Sequence, residues 1–132
     1  MKSAEDKSKF CTLLVDANAN YREAITDILY AYFPWIDVVE ASNGAEALGK
    51  VEYYRPSIIF MDTQLPDKSG LDLIEDMKLI CGDIVIVILS TNNLPEYLKL
   101  AFRYGADYYI PKREDTCMEE ILTQIDAAMA SD

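Results

Sequence analysis

The chain has 132 residues, 51% hydrophobic and 27% charged, which suits one soluble domain with a sizeable core. Its net charge of −11, with no basic cluster, argues against direct binding of duplex nucleic acid. It contains no histidine, which excludes His-ligated zinc catalysis, Ser-His-Asp triads and a phosphohistidine within this chain.

Met1 to Lys9 is polar, carries no signal-peptide core and is expected to be a flexible leader, with the domain proper over 10–130. No apolar run is long enough to cross a membrane. Phe10 to Val15 reads as a buried strand that stops at Asp16. The polar break Ala17-Asn18-Ala19-Asn20 can start a helix, in which Tyr21, Ile25, Ile28, Leu29 and Tyr32 recur at helical spacing until Pro34. The aromatic group Tyr30, Tyr32, Phe33 and Trp35 reads as packing at that helix end. Ile36 to Glu40 is a short strand. Asn43 and Glu46 form a capping pair for a second helix to about Tyr54, stopped by Pro56.

Ile58 to Met61 is the central strand, and it ends at Asp62. Leu65-Pro66, Asp67, Ser69 and Gly70 break the pattern. A third helix follows, with Ile74, Met77 and Cys81 on one face and Gly82 as its terminator. Ile84 to Leu89 is the most strand-like segment and leads to Ser90. Pro95 opens a fourth helix. Leu94, Leu98, Ala101 and Phe102 are placed on one of its faces, and Tyr97, Leu100 and Tyr104 on another. Gly105 closes it. Asp107 to Ile110 is a fifth strand, an edge strand because Pro111 follows, and Lys112 comes next. Thr116 and Glu119 read as a capping box for a last helix carrying Met118, Ile121, Leu122, Ile125, Ala128 and Met129. Cys11, Cys81 and Cys117 lack metal-ligand spacing and are expected to be buried free thiols, which fits a reducing cytoplasm.

Strict strand–helix alternation, five times over, predicts an α/β domain with a parallel sheet and right-handed crossovers. All strand carboxyl ends then share one edge, and Asp16, Asp62, Ser90 and Lys112 converge there. Singly, each has an ordinary reading as a cap, a turn residue, a loop hydroxyl or a solvated charge. Jointly they form a site. Two carboxylates suit magnesium, and a hydroxyl and an ammonium suit phosphate oxygens. A carboxylate can itself attack phosphorus to give an acyl phosphate.

These pieces resemble the receiver domains of two-component response regulators. The matching stretches are Leu13-Leu14-Val15-Asp16, Asn43-Gly44-Ala45-Glu46-Ala47-Leu48, Ile58-Ile59-Phe60-Met61-Asp62 with Leu65-Pro66 and Gly70, Val87-Ile88-Leu89-Ser90, and Gly105 to Lys112. The resemblance runs from about Phe10 to Met129. It implies a flavodoxin-like (βα)5 doubly wound five-stranded sheet of order 2-1-3-4-5. It implies that Asp62 accepts a phosphoryl group from a histidine kinase or phosphotransfer protein acting in trans. It also implies Mg2+ held by Asp16, Asp62 and the backbone carbonyl of Gln64, and catalytic assistance from Ser90 and Lys112. Ser90 and Tyr109 would be the switch residues. The fourth helix, fifth strand and fifth helix would form the surface for an output domain or partner protein, with homodimerisation open and Tyr97, Leu100 and Tyr104 as its apolar support.

Two positions depart from the family pattern. Ala17 stands where the family usually has a second acid, which predicts weak magnesium binding. Arg113 stands where a proline often follows the lysine, so a cis Lys-Pro bond is impossible. A pseudo-receiver, the same fold used as an interaction module without phosphoryl chemistry, is the competing reading. A small phosphatase with Asp62 as nucleophile ranks last, because only Asp67 offers itself as an acid.

Overall fold

A computed structural model describes residues 10–112 and 118–130. Five strands alternate with five helices: β1 (Cys11–Val15), α1 (Ala19–Tyr32), β2 (Asp37–Ala41), α2 (Gly44–Tyr54), β3 (Ile58–Met61), α3 (Gly70–Ile80), β4 (Val85–Ser90), α4 (Pro95–Tyr104), β5 (Tyr108–Pro111) and α5 (Met118–Ala130). The strands pair in parallel in the order β2-β1-β3-β4-β5. This is the expected doubly wound arrangement.

Two cores follow from the strand period of two. Leu13, Val15, Ile59, Met61, Ile86 and Ile88 face α2, α3 and α4. Leu14, Ile58, Phe60, Val87, Leu89 and Ile110 face α1 and α5, where Ile25, Leu29, Ile121 and Ile125 meet them. The central strands are buried on both faces, so their sequences read as unbroken apolar runs. Pro111 ends β5 at the sheet edge, where its missing N–H leaves no ladder bond unmade.

Thr12 is the exception within β1. Its hydroxyl is fully buried and has no hydrogen-bond partner among the described residues. Thr12→Val should therefore stabilise the fold by about 1 kcal/mol, because it removes an unpaid desolvation and keeps the shape. Urea denaturation of the two proteins checks this.

The local signals mostly act as read. The Asn18 side chain accepts the Tyr21 N–H and starts α1 at Ala19, two residues earlier than Tyr21. Asn43 accepts the Glu46 N–H, and Glu46 reaches back to the Ser42 N–H. Gly105 caps α4 at φ 125°, a conformation that favours glycine. In the aromatic group, Phe33 is buried and meets Trp35 edge-on, while the Tyr30 hydroxyl accepts the Val38 N–H; Tyr32 and Trp35 remain exposed.

Three readings need correction. The third helix ends at Ile80 with Cys81 as its cap in an extended conformation, and Gly82 has no positive φ, so Gly82 is not its terminator. Cys81 is half-buried, whereas Cys11 is buried and its thiol is pushed up to about 11 by burial and by the Asp37 charge. On α4, Tyr97, Ala101 and Tyr104 turn to the core, while Leu94, Leu100 and Phe102 are exposed. Positions 97, 101 and 104 follow the i, i+4, i+7 stripe of a helix, which the sequence reading had split between two faces. The leader 1–9, Arg113, the Thr116 end of the capping box and Cys117 lie outside the described residues.

Candidate functional site

The strand register places the site before any side chain is considered. Val15 pairs with Met61, so Asp16 and Asp62 leave adjacent strands side by side. The ladder continues one step past each strand: the Asp16 N–H donates to Ala41, Asp62 to Val15 and Lys112 to Ser90. The backbone of each site residue is therefore fixed by the sheet itself.

Lys112 joins the two carboxylates. Its Nζ lies 2.6 Å from Asp16 Oδ2 and 3.1 Å from Asp62 Oδ2. The three side chains are 18%, 8% and 14% exposed, respectively. The ammonium also stands 4.3 Å from the centroid of the Tyr21 ring. Burial alone would push this lysine down, but hydrogen bonds to Asp16 and Asp62, with their charges, hold it above the ordinary lysine value. The second oxygens of the carboxylates accept backbone N–H groups: Asn18 donates to Asp16 at 2.8 Å, and Gln64 to Asp62 at 3.1 Å. Both carboxylates are thus aimed by donors that fix their orientation.

Ser90 sits at the same edge, fully buried, but its hydroxyl is engaged elsewhere. Its Oγ lies 3.0 Å from Thr63 Oγ1 and accepts the Asn92 N–H at 3.1 Å. Tyr109, half-buried on β5, donates its hydroxyl to the Ser90 carbonyl at 3.3 Å. Of the predicted residues, the structure therefore brings Asp16, Asp62 and Lys112 into direct contact. It places Ser90 and Tyr109 beside them in mutual contact. Gln64 is exposed, and its backbone forms an isolated bridge with Ser69.

Two neighbours went unread in the sequence. Arg22, one turn into α1, donates to the Asp16 carbonyl and pairs with Glu40 at 2.9 Å. It lines the same cleft as Asp16, Tyr21 and Asp62. Thr63 is buried against Ser90. For Arg22 a signal existed: a cation in the first turns of a helix that begins right after a strand-end carboxylate. Nothing in the sequence links Thr63 to Ser90.

Asp67 does not serve Asp62. Its carboxylate accepts the N–H groups of Gly44 (2.8 Å) and Ala45 (3.0 Å) at the start of α2. These bonds hold it below the usual carboxylate range, the wrong direction for a general acid.

Asp16 and Asp62 are the two carboxylates that could hold a hard cation here, and among the described residues no group of three or more metal-ligating side chains forms. Magnesium is commonly held through one or two carboxylates together with water and phosphate oxygens. Asp16 and Asp62 meet that requirement, with Lys112 occupying one oxygen of each.

The response regulator receiver domain family matches residues 12–126. The YxjL transcriptional regulatory protein of Bacillus subtilis (strain 168) is 31% identical over 123 residues, covering 93% of this chain and 56% of that protein. The chemotaxis protein CheY of Halobacterium salinarum is 32% identical over 100 residues, covering 76% of this chain and 82% of CheY. Among solved structures, a two-component response regulator from Clostridium difficile superposes with a TM-score of 0.84 at 20% identity, covering 92% and 97% of the two chains.

A parallel 2-1-3-4-5 sheet with carboxylates and a lysine at its carboxyl edge defines a receiver-type signalling module. The chain belongs to the response regulator receiver domain family. Such domains work with histidine kinases and output domains and are not classical enzymes; as a family they bind Mg2+ at the phosphorylation site. The chain spans about half the length of the first regulatory proteins it matches. Among the described residues, no helix is long and apolar enough to cross a membrane.

Proposed function

We propose that this domain is a phospho-acceptor in which Asp62 takes a phosphoryl group from a partner's phosphohistidine. The observation that carries this reading is the Lys112 ammonium held between Asp16 and Asp62 at adjacent strand ends. An Asp62 oxygen attacks phosphorus, the P–N bond to the imidazole breaks, and an acyl phosphate forms as the imidazole leaves and takes up a proton. Lys112 remains within reach of the modified carboxylate and offsets charge on its new oxygens. Ser90 turns its hydroxyl toward them and Tyr109 follows it. Magnesium, held by Asp16, Asp62 and the Gln64 carbonyl, would supply further neutralisation of the transferring group.

The signal leaves through α4, β5 and α5, toward an output domain or partner protein in the cytoplasm. The apolar groups available there are Leu94, Leu100, Phe102 and Tyr108, not Tyr97 and Tyr104. The competing pseudo-receiver reading draws on Ala17, which leaves the pocket one carboxylate short of the family pattern. The hydrolase reading loses its acid, since Asp67 is committed to α2.

Intact-protein mass after incubation with acetyl phosphate, with and without magnesium, separates the readings. The expected result is the gain of one phosphoryl mass in the wild type and none in Asp62→Asn. No gain in the wild type would leave the pseudo-receiver.

A further inference from the structure

We propose that Tyr21 is a positioning residue whose ring keeps the Lys112 ammonium in the cleft when Asp62 frees an oxygen to attack phosphorus. This role rests on the phospho-acceptor reading and adds a residue to it.

At rest, both oxygens of Asp62 are engaged. Oδ1 accepts the Gln64 N–H at 3.1 Å, and Oδ2 accepts the Lys112 ammonium at 3.1 Å. An oxygen that forms a bond to phosphorus must give up its donor. The Gln64 N–H belongs to a backbone bridged to Ser69, whereas the Lys112 charge sits at the end of a flexible four-carbon stem. Lys112 is therefore the donor that lets go. It must stay close all the same, because its charge is needed on the new oxygens as they form.

Two groups keep it there. One is Asp16, 2.6 Å from the ammonium. The other is the Tyr21 ring, whose centroid is 4.3 Å from Nζ, within the roughly 6 Å over which an aromatic face attracts a cation. The ring holds the charge without occupying an oxygen of Asp62. Its attraction also survives the conversion of that carboxylate to an acyl phosphate. Ala17 offers no further carboxylate to share this task, and Glu40 is paired with Arg22.

The site builds the ring into place. Asn18 donates its N–H to Asp16 Oδ1 at 2.8 Å, and its side chain accepts the Tyr21 N–H at 3.1 Å. One asparagine thus aims a carboxylate and starts the helical turn that carries the ring. Tyr21 is half-buried against the core beneath α1 and lines the same cleft as Asp16 and Asp62. Arg22, next in the chain, is committed to the Asp16 carbonyl and to Glu40, and leaves the ring face to Lys112.

The test combines acetyl phosphate labelling rates by intact mass with the proton NMR shift of the Lys112 ε-methylene. In the wild type those protons, held over a ring face, should resonate upfield of an ordinary lysine. Tyr21→Leu keeps an apolar side chain and removes the ring. The upfield shift should vanish, and labelling should slow about fivefold, the factor of one partly desolvated cation–π contact. Tyr21→Phe should keep both. On a Lys112→Met background, Tyr21→Leu should slow labelling no further, a result that mere loosening of the fold would not give. Wild-type labelling by Tyr21→Leu, or an equal fivefold loss on the Lys112→Met background, would overturn the role of Tyr21 and leave the acceptor reading standing. A wild type that gains no mass would overturn the acceptor reading, and this role with it.

Discussion

Lys112→Met will destabilise the domain by about 2 kcal/mol at neutral pH. Removing the cation of a buried ion pair strands the carboxylate, at about 3–5 kcal/mol when burial is complete. Here two carboxylates, Asp16 and Asp62, lose the same ammonium, but water reaches the rim of the cleft and discounts the figure. Methionine keeps an apolar stem against the Tyr21 ring, so the loss reports charge rather than packing. Asp16→Asn placed on the Lys112→Met background should recover part of it, because one uncompensated charge goes. The pH dependence has a definite sign. Lys112 is held above 10.5, its ordinary value. Its contribution is therefore complete below 10.5 and is lost as pH rises through the higher folded-state value. The gap between wild type and Lys112→Met in urea denaturation should be constant through the neutral range and should close only in strong alkali.

Ala17→Asp will raise magnesium affinity about tenfold. Two carboxylates facing one ammonium leave the pocket with a single net negative charge. A third carboxylate beside Asp16 doubles it, and ligand charge count is a main determinant of affinity for hard cations. A tenfold gain corresponds to about 1.4 kcal/mol, within the reach of one added carboxylate in a partly solvated site. Isothermal titration with magnesium chloride on both proteins measures this without any phosphoryl donor. Equal affinities would mean that position 17 does not face the cation.

The sheet order and the meeting of Asp16, Asp62 and Lys112 were legible because each depends on local pattern alone. Strands that alternate with helices must run parallel, and parallel strands deliver their last residues to one edge. The faces of α4 were not legible. Leu94, Tyr97, Leu98, Leu100, Ala101, Phe102 and Tyr104 are apolar nearly all round, so periodicity cannot choose among them, and packing onto the sheet decides. Gly82 misled because a glycine near a helix end usually signals a left-handed cap, whereas Cys81 ends the helix in an extended conformation. Thr63 was silent because its partner, Ser90, lies 27 positions further on. Asp67 looked available for chemistry until its two backbone donors on α2 were seen.

Those two donors have a consequence of their own. The segment after Asp62 is tied at three points: Gln64 to the Asp62 carboxylate, Gln64 to Ser69 across a bridge, and Asp67 to the start of α2. A loop already fastened in this way has little conformational freedom left to surrender to any protein that docks on it. The entropy of arranging the segment beside Asp62 was lost during folding, so a docking partner meets a finished surface rather than joining an act of assembly.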